Sequence, residues 1–235
     1  MNQRPANLLL KQLSSDDFES LKPHLEEVFL ELHSSLEKAG QPIKYVYFLN
    51  SGLASVVGYK APAVDAEVGM IGLEGMTGSA LLMGDDRASH DCFIQMTSNA
   101  YRVEADMFTN ALRQSETLKS FLLRYVHALH VQTMHTALVN ARSKTNERLA
   151  RWLLMCDDRA IGERLFITHE FLAVMLGVRR PGVTVALQEL EGQGLIGSMR
   201  GQVLIRDRAG LVKLANGAYG PPEAQYRRLI GAFGK

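Results

Sequence analysis

The chain of 235 residues contains no run of 18 uninterrupted apolar residues, so no stretch of it reads as a membrane-spanning helix. It has only two cysteines, Cys92 and Cys156. These are too few for a disulfide framework, a four-thiolate zinc site or a cysteine-ligated iron–sulfur cluster, and both read as small core residues. No small-residue cleavage site follows the leucines near the start. The N-terminal stretch therefore does not read as a secretory signal, and a cytoplasmic location is expected. Among the seven histidines there is no His-X-His pair, so the clustered ligands of a jelly-roll metal enzyme are lacking. No catalytic or metal-binding set stands out, and neither an enzyme nor a cofactor is expected. With 46% hydrophobic and 22% charged residues, what remains is an ordinary soluble profile, long enough for one large domain or two modest ones.

Charge is unevenly distributed. Residues 1–140 carry 11 Lys+Arg against 16 Asp+Glu, whereas residues 141–235 carry 15 against 9. Twelve of the 15 C-terminal cations are arginine, whose planar fork suits phosphate oxygens and guanine edges. An acidic module joined to one that binds a polyanion fits this split.

The pattern along the chain separates these modules. Residues 14–22 begin with helix-capping side chains and stop at Pro23, predicting one short helix. Between about 24 and 105, short apolar segments such as Tyr45–Leu49, Ala54–Tyr59 and His90–Met96 alternate with Gly, Asn and Asp turn signals. That spacing predicts an antiparallel β-roll of jelly-roll type rather than a βαβ sheet. From Val103 to Ile161 there is neither Pro nor Gly. Within it Leu118, Leu122, Tyr125, Leu129, Gln132, Thr136 and Val139 recur at alternating four- and three-residue spacing, which predicts a helix paired with its copy in a homodimer. A second helix is expected over about 144–156.

The richest stretch is 165–207. Thr168 suits the N-cap of a helix ending at Gly177, and Pro181 suits the start of the next one, with Val183, Val185, Leu187 and Leu190 as its buried side. Helix, glycine turn and helix make a helix-turn-helix, followed by two strands, 195–198 and 202–206, as a wing. In such units residues near the start of the second helix meet base edges in the major groove. Here those are Arg179, Arg180, Gly182 and Thr184. Thr168, Gln188 and Arg200 are placed for phosphate contacts.

These features resemble the CRP/FNR family of bacterial transcription regulators. The local matches are Asn146-Glu147-Arg148-Leu149-Ala150, Ile167-Thr168 with Glu170, Leu176-Gly177-Val178-Arg179-Arg180, and Leu190-Glu191 with Gly194-Leu195-Ile196. The resemblance implies an α+β chain in four parts. They are a β-roll sensor over 1–112, a dimerisation helix over 113–141, a winged helix-turn-helix over 142–212 and an extension over 213–235. It also implies a homodimer on a two-fold symmetric site in double-stranded DNA, with RNA polymerase as a further partner.

Departures from the family pattern bear on specificity. Where relatives carry Arg, Glu and Arg along the recognition helix, this chain has Arg180, Pro181 and Val185, so a different operator is expected. In cyclic-nucleotide-binding relatives a Gly-Glu pair holds the ribose and an Arg-Ser pair holds the phosphate. The matching positions here are Gly78 and Ser79, then Ser89 and His90, with Arg87 two residues early and Thr133 on the long helix as a base contact. Loss of the arginine predicts a regulator without a response to cyclic AMP, its effector unknown or absent. The alternative is a cyclic-nucleotide response through Arg87 and Thr133.

Overall fold

The computed structural model describes residues 5–60, 64–160, 164–199 and 201–235. Two short helices open it. α1 (Leu8–Gln12) is capped by Asn7, whose Oδ1 accepts from the amides of Leu9 and Leu10, and α2 (Ser15–Leu21) is capped by Ser14. The sequence reading anticipated only the second. Asn7 also donates to the carbonyls of Leu49 and Gly75, both at 2.8 Å, so α1 is tied to the roll by a buried amide.

The roll is two antiparallel sheets. One orders β1 (Glu26–Leu30), β7 (Ser98–Glu104) and β3 (Tyr45–Leu49). The other orders β2 (Ser35–Glu37), β6 (Asp91–Met96), β4 (Leu53–Lys60) and β5 (Val64–Ile71). Apolar side chains from both sheets, among them Leu49, Ala54, Ile71, Ile94 and Ala100, form one buried cluster. A short helix, α3 (Ser79–Leu82), follows the turn at Gly78, which holds a left-handed backbone at φ +76°.

The stretch without Pro or Gly breaks into α4 (Ala105–Gln114), α5 (Glu116–Arg142) and α6 (Thr145–Asp157). Ser115 is the break, because its hydroxyl caps α5 by accepting from the amide of Leu118. The predicted boundaries of the two longer helices hold to within three residues.

The face that α5 buries differs from the expectation. Leu118, Leu122, Tyr125, Gln132, Thr136 and Val139 are buried against their own chain, and Leu129 is half-buried beside them. Gln132 pairs with β5 as a strand would: Oε1 accepts from the amide of Met70 at 2.7 Å and Nε2 donates to its carbonyl at 3.3 Å. Tyr125 Oη exchanges hydrogen bonds with both backbone groups of Met76. Thr136 accepts from Arg151 of α6. These seven side chains therefore face the interior rather than a second copy. A four-three stripe is produced equally by a helix on a sheet, and the polar residues in it signalled backbone partners.

After α6 come β8 (Arg164–Phe166), α7 (His169–Leu176), α8 (Arg180–Gly192), β9 (Ile196–Met199) and β10 (Gln202–Ile205), then α9 (Arg208–Leu214) and α10 (Pro221–Leu229). The wing has three strands in the order β8-β10-β9, one more than predicted. The two halves share a core, since Leu53, Val57 and Met70 of the roll cluster with the apolar side of α6, α7 and α8. The extension folds back onto α5: His135 bonds the carbonyl of Ala218, and Tyr226 donates to that of Glu74. Arg159, fully buried, pairs with Glu74 at 2.8 Å under the ring of Phe233.

Candidate nucleic-acid interface and effector cleft

The helix-turn-helix is built by local signals. Thr168 accepts from the amide of Phe171 at 3.1 Å and caps α7, and Gly177 at φ +59° ends it. Val178 then bonds the carbonyl of Ala173, closing the turn. Arg179 holds the N-cap position of α8, Arg180 opens the helix and Pro181 follows in the first turn, where a missing amide proton leaves no bond unmade. The buried side of α8 is Val183, Ala186, Leu187 and Leu190. Val185, expected among them, is 53% exposed instead. Spacings of three, four and seven from Val183 fall on one face of a helix, and a spacing of two does not.

Arg179, Arg180, Gly182 and Gln188 are all exposed on the outer side of this unit, as is Thr168. Thr184 is not free to read a base with its hydroxyl. It donates to the carbonyl of Arg180 at 3.2 Å and lies 3.1 Å from Nδ1 of His169, which ties α8 to α7. Arg200 lies outside the described residues. His169 is the side chain here that motif reasoning passed over, and Val185 is the one it placed on the wrong side of the helix. Their signal lay in helical spacing rather than in residue type.

The second site lies between the roll and α5. Ser79, His90 and Thr133 line a cleft of about 490 Å³ together with Val56, Val68, Met83, Leu123, Val126, His127, Leu129 and His130. Gly78 sits at its edge, but its amide already donates to the carboxylate of Glu37. Glu37 is buried, and its other oxygen lies 3.2 Å from Nε2 of His90. Ser89 is exposed and bonds Nδ1 of the same imidazole. Arg87 is exposed and turned away, donating to the carbonyl of Gly40 at 2.9 Å, so it does not join the cleft. The described residues contain no group of three or more His, Cys, Asp or Glu that could hold a metal ion.

A third polar cluster lies where the halves meet. Glu67 of β5 is buried, accepting from Nε1 of Trp152 on α6 at 2.8 Å and from Ser55 at 2.6 Å. Burial dominates over these bonds and pushes its carboxyl up to about 7. Burial likewise holds the thiols of Cys92 and Cys156 well above their ordinary range, as inert core cysteines require.

Residues 147–214 match the Crp-like helix-turn-helix domain family. No curated protein matches the chain. Among solved structures, a CRP/FNR-family regulator from Eubacterium rectale is similar at 16% identity, over 89% of this chain and 98% of its own, with a TM-score of 0.70. FixK2 from Bradyrhizobium japonicum is similar at 18% identity, over 81% of this chain and 96% of its own, also with a TM-score of 0.70. A CRP-family transcriptional regulator from Thermus thermophilus is similar at 18% identity, over 82% of this chain and 98% of its own, with a TM-score of 0.67. The β-roll, long helix and C-terminal helix-turn-helix are thus the fold of CRP/FNR-family transcription regulators. No helix among the described residues is long and apolar enough to cross a membrane.

Proposed function

With residues 147–214 a Crp-like DNA-binding unit on a CRP/FNR-type fold, we propose that this chain acts as a homodimeric, sequence-specific transcription regulator without a response to cyclic AMP. The observation that carries the reading is the exposed start of α8, where Arg179 and Arg180 project from a helix whose opposite side is anchored in the core. A guanidinium there can make paired bonds to O6 and N7 of guanine. The test is binding to a random duplex pool followed by Arg180→Ala. That substitution should cost about 1–3 kcal/mol at one base pair per half-site and relax selection there. Unchanged selection would remove Arg180 from the reading.

The dimer surface we assign to the exposed face of α5, next to the cleft. Leu123, His127, His130 and Met134 repeat there at spacings of four, three and four, with Leu138 just beyond. Leu123 is 37% exposed, Met134 51% and Leu138 57%, while Leu123, His127 and His130 also border the cleft beside the roll. A parallel copy would cover this face and place two recognition helices about 34 Å apart on a two-fold site.

Two features argue against a cyclic nucleotide in the cleft. The carboxylate of Glu37 occupies the Gly78 amide, and Arg87 is engaged with the carbonyl of Gly40. A buried phosphate needs a cation and donors, and here it would meet a second anion.

A further inference from the structure

We propose that Val185 on the recognition helix reads the 5-methyl group of thymine, which makes it a specificity-determining residue of the DNA-binding unit. The inference rests on the reading of α8 as the groove-entering helix and adds the class of base that its apolar side selects.

Val185 has no structural task. The helix already meets the core through Val183, Ala186, Leu187 and Leu190, and the Val185 side chain stands 53% exposed on the opposite side. A β-branched residue is also a weaker helix former than the straight-chain polar residues usual on a solvated face. Pro181, one turn earlier on the same face, is exposed too, and a Cβ at Gly182 would meet nothing within 4 Å. An open groove of about 470 Å³ runs along this apolar strip, with Lys144 of the α6 N-terminus on its far side. A base edge can therefore approach Val185 closely, with Glu189, which also lines the groove, held by the Asn146 amide at 3.4 Å.

The floor of the major groove is polar except at one group, the C5-methyl of thymine, which is the surface an isopropyl can cover there. A guanine or cytosine opposite Val185 would lose hydrogen bonds to water and gain none from the protein. The isopropyl of Val185 offers neither charge nor hydrogen bond, so thymine is the base that fits.

The experiment uses the full chain. A random duplex pool should yield a two-fold symmetric site with a fixed T·A pair in each half. Replacing that thymine by deoxyuridine in both halves removes only two methyl groups. It should weaken binding about fifteenfold, or about fourfold per half-site. Val185→Ala should discriminate less between the thymine and uracil duplexes than the unaltered protein, whereas Val185→Ile should keep the difference. Because the side chain is exposed, neither variant should disturb folding. Equal binding of thymine and uracil duplexes by the unaltered protein would overturn the assignment, and so would undiminished discrimination in Val185→Ala. A pool with no enriched sequence would overturn sequence-specific reading as a whole. Enrichment without methyl dependence would overturn only the role of Val185.

Discussion

The two halves of this molecule treat their polar groups in opposite ways. In the helix-turn-helix three side chains that could meet DNA, Arg179, Arg180 and Gln188, stand exposed at the surface. In the roll, the groups that could meet an anionic effector are already satisfied by the chain. Gly78 is bonded to Glu37, Arg87 to Gly40 and His90 to Glu37. A site open to a ligand leaves polar groups unmatched until the ligand arrives, and a site that closes on itself needs none. The contrast supports the proposal that recognition lies in the C-terminal half, with the roll as its frame.

The largest effect should come from breaking the link between the halves. Arg159→Met leaves Glu74 buried without its guanidinium and strips the cation from under Phe233. A loss of about 3–5 kcal/mol is expected in denaturant unfolding. A loss well under that would mean that the C-terminal extension is not what holds the halves together.

The two faces of α5 give the next contrast. Leu122→Ala opens a cavity in the interior and should cost about 2–5 kcal/mol of stability. Leu123→Glu, one residue along on the open face, should leave the fold intact and turn the dimer into monomer in sedimentation. A folded dimer after Leu123→Glu together with Met134→Glu would remove that face as the interface.

Glu67 sharpens the comparison through pH. Its carboxyl is raised in the folded chain from an ordinary 4.5 to about 7, so the native state holds a proton that the unfolded state releases. The stability this proton carries is fully present below about pH 4.5 and is lost as pH rises through about 7, a change of about 3 kcal/mol. Unfolding measured from pH 5 to 8 should show the decline, and Glu67→Gln should flatten it. A variant with the same slope as the parent would mean that Glu67 is not the titrating group. The smallest effect is expected at the cleft. Cyclic AMP at about 100 μM should give no heat in titration and no change in DNA affinity, because a missing charge-assisted pair moves micromolar binding to millimolar. Micromolar binding would mean that the Glu37 seat opens.

The C-terminal half was legible because its signals are local. Thr168, Gly177 and Pro181 each act on the backbone within a few residues, through a cap, a left-handed turn and a fixed φ. The β-roll was legible as a class from its short apolar segments and turns, although α1 and the third wing strand escaped. α1 is a five-residue helix that depends on Asn7 reaching Leu49 and Gly75, and β8 exists only where β10 pairs with it.

What the sequence by itself determined, then, is the class of the first half, the course of the longer helices, and that the basic half carries a turn suited to DNA. What only the tertiary structure decided is which side of a helix faces in. Along α5 the stripe from Leu118 to Val139 and the stripe from Leu123 to Met134 have the same period. Periodicity alone therefore cannot say which meets the sheet and which is left for a second copy. Gln132 on Met70 shows which stripe meets the sheet, since a buried amide must find backbone partners. On α8, a backbone held by Val183 and Leu187 turns Val185 outward. Glu37 and Gly78, 41 residues apart, become partners only when β2 is laid beside the turn before α3. Local backbone chemistry acts over a few residues and can be read along the chain, whereas these pairings depend on three-dimensional neighbours that no local spacing encodes.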